Sequence, residues 1–150
     1  MSSLTDLYQE VILDHNKRPQ NFRVLTGEAV HSAAGDNPLC GDKVTVYLRR
    51  EGDRLAEVTF QGTGCAISQA SASLMTEAVQ GKTEEEVERL LTAFIHAMKG
   101  EEAPDLGKLE ALAGVRDYPM RVKCATLAWH TLKAALEDRR TPSPDGVTTE

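Results

Sequence analysis

The apolar pattern of this chain turns from strand period to helix period at a glycine pair, and that change limits the folds open to it. Val44, Val46 and Leu48 alternate with polar neighbours, and Leu55 to Phe60 answers them across a Glu51-Gly52-Asp53 turn. A period of two on either side of a short glycine-containing turn is a half-buried antiparallel hairpin. After Gly62-Thr63-Gly64 the pattern becomes helical and stays so to the end of the last apolar stripe. A hairpin followed by helices predicts an α+β fold with the helices packed on one sheet.

The helices can be bounded by their own signals. Leu4, Leu7, Tyr8, Val11 and Ile12 fall at i, i+3, i+4 spacing, with Ser3 and Asp6 placed as a capping box and Pro19 beyond the end. A segment rich in Ala and Ser runs from Cys65 or Ala66 to about Val79 and stops at Gly81, and its small side chains allow close packing. Thr83 followed by Glu84, Glu85 and Glu86 opens a third helix, whose stripe is Val87, Leu90, Leu91, Phe94, Ile95 and Met98. Leu106, Leu109 and Leu112 predict a short helix from Glu101 that ends at Gly114, and Pro119 suits the start of a terminal helix faced by Val122, Ala125, Trp129, Leu132 and Leu136. Residues 28–33 read as an edge strand. One domain over 1–139 is expected, with 140–150 a flexible tail that lacks apolar residues to order it.

Composition narrows the function. The 150 residues carry 17 Lys and Arg against 23 Asp and Glu, a net charge of -6 with no basic patch, which disfavours nucleic acid as a partner. No apolar run approaches the roughly 20 residues that span a bilayer, and the start has neither a basic nor an apolar signal region. A cytoplasmic protein without a membrane partner is expected. Three cysteines cannot all pair with one another, and an intracellular setting keeps thiols reduced, so metal binding or reactive thiols are favoured over a disulfide framework.

Cys40 and Asp42 bracket Gly41 at the entry to the first strong strand. In an extended segment alternate residues point the same way, so a thiolate and a carboxylate two apart can meet one ion. Cys65 follows the glycine pair and opens a helix, where unsatisfied N–H groups and the dipole favour a thiolate. Cys124 lies early in the last helix, off its apolar stripe. Three thiolates and one carboxylate make a plausible tetrahedral set for zinc, and three sulfurs argue against calcium or magnesium. Spacing by itself leaves a second reading open, in which each cysteine is only a small buried hydrophobe. His15, His31, His96 and His130 are candidates for further ligands, but helix-surface or capping roles are commoner for them. Asp36 and Asn37 read as the turn before Cys40, and Glu84 to Glu88 as a dipole-favoured first turn.

The stretches DNPLCGDKVTVYL, FQGTGCAISQASASLM and RVKCATLAW resemble the three cysteine motifs of the NifU/IscU-type iron-sulfur scaffold family. LYQEVILDHNKRPQNF is similar to that family's N-terminal helix and loop, so the resemblance runs from Leu4 to about Leu136. It implies a three-stranded antiparallel sheet with packed helices, as in SufU and IscU proteins, and a metal site made by Cys40, Asp42, Cys65 and Cys124. It further implies a cysteine desulfurase that donates persulfide sulfur and downstream iron-sulfur assembly proteins that receive it.

Two features resemble the SufU branch, whose members are zinc-dependent sulfurtransferases. Cluster-building scaffolds carry a histidine before the third cysteine, within a Leu-Pro-Pro-Val-Lys segment; here that place is Lys123, after Tyr118-Pro119-Met120-Arg121-Val122. The chain also has an added stretch near Glu101 to Gly114. In that branch the first cysteine accepts the sulfur, which implies Cys40 as catalytic acceptor, Asp42 as the exchangeable ligand, and Arg121 with Lys123 at the partner-docking face. The cofactor implied is Zn2+, with a [2Fe-2S] cluster or iron on the same groups as the alternative.

Overall fold

A computed structural model describes residues 4–27, 29–38, 41–101, 106–115, 118–137 and 147–148. Helix α1 (Leu4–Lys17) is followed by strands β1 (Val30–Asn37), β2 (Asp42–Glu51) and β3 (Arg54–Thr63). Helices α2 (Ala66–Val79) and α3 (Glu84–Met98), a 3₁₀ segment (Gly107–Val115) and helix α4 (Pro119–Glu137) complete the body. The fold is α+β, with the strands in the order β3-β2-β1 and antiparallel throughout that trio. A two-residue strand β4, Val147–Thr148, lies parallel to β1 beside Gly35 and Asp36.

The hairpin forms where the alternation places it. Arg49 faces Glu57, Tyr47 faces Thr59 and Thr45 faces Gln61 on one side of the sheet, where Thr59 alone of the six is buried. Val44, Val46, Leu48, Val58 and Phe60 turn inward and are buried. Burying such side chains contributes about 1.5–3 kcal/mol each, which makes this register costly to slip by one residue. β1 is longer than the expected edge strand and starts later, pairing from Val30 to Asn37 with β2. Its Ser, Ala and Gly residues are poor strand formers alone, and the ladder to β2 overrides that preference.

α4 is the central helix. It packs across β1 and β2 and against α2, and ten of its residues are buried, so the single apolar stripe expected for it understates its burial. Trp129 stacks on Phe94 of α3, with ring centroids 4.5 Å apart and planes 16° from parallel. The capping box at the start of α3 is present, Thr83 and Glu86 each accepting from the other's backbone. Arg50 donates to Glu84 and to the Leu136 carbonyl, joining the hairpin to α3 and to the end of α4.

At the other end α1 docks on α2. Val11 and Ile12 pack partly buried against the core, while Ser3 and the side chains of Leu4, Asp6, Leu7 and Tyr8 lie outside the described ones. Of the short helix expected from Glu101 to Gly114, residues 102–105 lie outside the described ones, and Gly107–Val115 form a 3₁₀ segment. Gly107 has φ +58°, a left-handed value that interrupts any right-handed helix running into it. Among the described residues no helix is long and apolar enough to cross a membrane.

Candidate metal centre

Asp42 is the first residue of β2 and the last member of its inward row, below Val44, Val46 and Leu48. It is fully buried, opposite Asn37 across the β1–β2 turn. That turn is closed by the Gly41 N–H donating to the Asn37 carbonyl at 2.8 Å, and Gly41 has φ +73°. A glycine there adopts without strain what another residue would resist.

Cys65 reaches the same place from β3. It is the N-cap of α2, with φ -72° and ψ 168°, and its sulfur accepts the Ser68 N–H at 3.4 Å. The cap therefore does what Ser or Asp usually does at a helix start, with a softer atom. The Cys65 N–H donates to Asp42 Oδ1 at 2.9 Å, and the Cys65 sulfur lies 3.9 Å from Asp42 Oδ2. One carboxylate oxygen is thus held by the backbone while the other faces the thiol.

The glycine pair makes this approach possible. A Cβ on Gly62 would stand 2.1 Å from the Lys43 carbonyl oxygen, and one on Gly64 would stand 2.6 Å from Asp42 Oδ1. Gly62 lets the strands close, and Gly64 leaves room for the carboxylate. The Gln69 amide donates to the Gly62 carbonyl at 3.1 Å and ties α2 to that loop.

Cys124 arrives from α4. Its place off the apolar stripe does not require it to be core, yet it is 3% exposed, because α4 is covered on nearly all sides. It still joins the cluster: ligand atoms of Asp42, Cys65 and Cys124 all lie within 4.8 Å of one another. Two sulfurs each ~2.3 Å from one tetrahedral ion stand about 3.8 Å apart, so small side-chain adjustments suffice to close this set on zinc. The donors are two sulfurs and the Asp42 oxygen that faces the thiol, and the residues present fit a thiophilic metal. Cys40, expected as the fourth ligand and the acceptor, lies outside the described residues.

Among the described residues no histidine joins this cluster. His15, expected at a helix surface, is buried, with Nδ1 2.7 Å from Ser73 Oγ, because α1 lies against α2. His96 pairs with Glu101 at 3.0 Å on the surface. His130 is half-buried on α4, and burial, helped by Lys133 and Lys99, holds its imidazole below the usual range. His31 lies in β1 opposite Leu48. Arg121 is exposed, its guanidinium 5.8 Å from the Tyr118 ring centroid, and Lys123 is partly exposed one residue before Cys124. Sequence reasoning missed the role of Gly64 and of the Cys65 N–H. The Gly-x-Gly-Cys spacing was the available signal, but only the folded chain shows what each glycine faces.

Residues 7–141 match the family model described as the NifU-like N terminal domain. The chain belongs to that family. A curated relative from Streptococcus pyogenes serotype M1, named iron-sulfur cluster assembly scaffold protein IscU, is 42% identical over 140 residues, covering 91% of this chain and 87% of that one. A second, from Bacillus subtilis strain 168 and named zinc-dependent sulfurtransferase SufU, is 42% identical over 135 residues, covering 88% of this chain and 90% of that one. A crystal structure from Fervidobacterium islandicum AW-1, described as an iron-sulfur cluster assembly scaffold protein for the SUF system, superposes with a TM-score of 0.78 at 37% identity, covering 85% of this chain and 95% of that one. As a NifU-like domain, the chain presents its carboxylate and two thiols at the sheet end where β2, α2 and α4 meet.

Proposed function

We propose that this NifU-like domain serves iron-sulfur cluster biogenesis in the cytoplasm as a zinc-dependent sulfurtransferase and desulfurase activator. It takes persulfide sulfur from a cysteine desulfurase and relays it to downstream assembly proteins. The observation that carries the reading is the meeting of Asp42, Cys65 and Cys124 within 4.8 Å, with Cys40 two residues from Asp42 in the chain. A bound zinc ion would keep the thiols deprotonated at neutral pH. Asp42, Cys65, Cys124 and Cys40 are the ligands of this reading, and Cys40 is also the acceptor.

In the transfer, the Cys40 thiolate attacks the outer sulfur of the desulfurase persulfide. The sulfur-sulfur bond of that persulfide breaks, the desulfurase cysteine leaves as a thiolate, and Cys40 carries the new persulfide. Asp42 suits the exchangeable ligand because one of its oxygens already has a partner in the Cys65 N–H, which keeps the carboxylate in place when the other oxygen is released. Tyr118 and Met120 are 59% and 44% exposed at the start of α4, Arg121 lies over the Tyr118 ring, and Lys123 precedes Cys124, so this end of α4 offers aromatic and cationic groups for partner docking.

The second reading is a scaffold that assembles a [2Fe-2S] cluster on the same groups, favoured by the relative named as an IscU scaffold. Lys123, cationic and a poor ligand where a cluster-building scaffold has histidine, favours the first. The test is a desulfurase assay with substoichiometric full-length protein. Many turnovers stimulated per molecule, with persulfide mapped to Cys40 and lost in Cys40→Ser, support the transferase. Persulfide on Cys65 or Cys124 and never on Cys40 would overturn the acceptor role, and absence of stimulation with a visible cluster after anaerobic iron and sulfide loading would favour the scaffold.

A further inference from the structure

The two thiols that meet in the metal centre come from different helices, so something must set the spacing of α2 and α4 at that end. Ser71 lies in α2, six residues after Cys65, and is fully buried. Its hydroxyl donates to the Ala125 carbonyl at 2.5 Å, at the residue next to Cys124. The same oxygen accepts the Trp129 Nε1–H at 3.2 Å, one turn further along α4. Ser71 therefore holds α4 at two points, through its backbone and through a side chain.

The geometry has a single solution. An indole nitrogen can only donate, so the Ser71 oxygen must accept there, and its own proton is left for Ala125. Ser71, Ala125 and Trp129 are all inaccessible to solvent, so no water substitutes for either bond. The stack of Trp129 on Phe94 fixes the indole from the far side. Ser73, two residues along α2, points elsewhere: it bonds His15 Nδ1 and the Gln20 N–H, each at 2.7 Å, and serves the α1 contact.

We infer that Ser71 is a positioning residue for the metal centre: its clasp on Ala125 and Trp129 sets the separation of the Cys65 and Cys124 thiols, and with it metal affinity and ligand geometry. Ser73, equally buried on the same helix, is the internal control for packing alone. This inference rests on the reading of Asp42, Cys65 and Cys124 as metal ligands, and the test separates the two.

The test uses cobalt(II) as the probe with the full chain, reading the ligand-field and sulfur-to-metal charge-transfer bands and the affinity from competition with zinc. In Ser71→Ala the bands shift and affinity falls by about tenfold, the lower end of the loss seen when a group that orients metal ligands is removed. In Trp129→Phe, which frees the hydroxyl to rotate but keeps a stacked ring, both change in the same direction and by less. In Ser73→Ala both stay at the wild-type values although the unfolding temperature drops. A Ser71→Ala protein with unchanged bands and affinity overturns the inference alone, and so does a Ser73→Ala protein that changes as much. Should Ser71→Ala fail to fold, wild-type values in Trp129→Phe overturn it. A wild-type chain that binds no cobalt through thiolates overturns the metal reading and this inference together.

Discussion

Gly64→Ala is the perturbation that most directly probes the centre. The added Cβ would stand 2.6 Å from Asp42 Oδ1, 3.1 Å from its Cγ and 3.2 Å from its Cβ. Ordinary contact begins near 3.4 Å, so the carboxylate oxygen must retreat by about 0.8 Å. Asp42 is fully buried and held by the backbone of β2, so it cannot swing into solvent to escape. The retreat strains the 2.9 Å bond from the Cys65 N–H, a charge-assisted bond worth about 1.5–3 kcal/mol. It also far exceeds the tolerance of about 0.2 Å on metal–ligand distances. Gly64 is not among the glycines with positive φ, so its backbone accepts alanine and the effect isolates the clash.

The expected result is a loss of metal affinity of about ten- to a hundredfold and a drop in apo-protein stability of about 1–3 kcal/mol. Zinc competition titration and thermal unfolding with and without metal measure the two separately. Gly52→Ala is the matched control, because it lies in the β2–β3 turn at the far end of the hairpin, its Cβ meets nothing within 4 Å and the cost is confined to φ +67°. That strain is about 1–2 kcal/mol and touches no ligand atom. The reasoning fails if Gly64→Ala binds zinc as the wild type does, or if Gly52→Ala loses as much stability and as much affinity.

Stripping metal with a chelator should leave a folded apo-protein, because the core of Phe60, Phe94, Trp129 and their neighbours is complete without the site. Its far-ultraviolet circular dichroism should persist, and readded zinc should raise the unfolding temperature, by about 4 kcal/mol of stability at a thousandfold excess over the dissociation constant. Phe94→Ala removes the ring stacked on Trp129 and should cost about 3–5 kcal/mol, seen as a fall in unfolding temperature on the order of 10 °C. His130 titrates below the usual imidazole value of about 6.5, so the unfolded chain binds its proton first as pH falls. Its contribution to stability is present above that value and is lost as pH falls through the folded midpoint. Ring-proton NMR should find the low midpoint, with Lys133→Ala raising it.

The elements legible in the sequence are those whose period is sustained by large apolar residues. Val44, Val46 and Leu48, and the stripe from Val87 to Met98, announce a strand and a helix, and both form. The rest depended on partners. β1 is legible only as far as residue 33; its continuation through Ala34, Gly35, Asp36 and Asn37 carries no strand signal and forms because the β2 edge accepts it. The short helix expected before Gly114 is a 3₁₀ segment over Gly107–Val115, and nothing in the apolar pattern marks Gly107 as left-handed.

The site follows the same division. Asp42 and Cys65 could be read as candidates because each stands beside a glycine at the end of an element, where the chain is free to turn a side chain toward a ligand. Cys124 carries no such mark, and its burial was misjudged because helical periodicity shows one apolar face and not how many neighbours close on the other. What brings its sulfur to the other ligands is the docking of α4 on both β1 and α2, a long-range contact that residue spacing does not encode. A centre assembled from the ends of a strand and two helices is therefore a property of the whole packed body. Loosening α4 anywhere along its length should weaken metal binding before it unfolds the chain, because the ligand distances tolerate far less movement than the core contacts do.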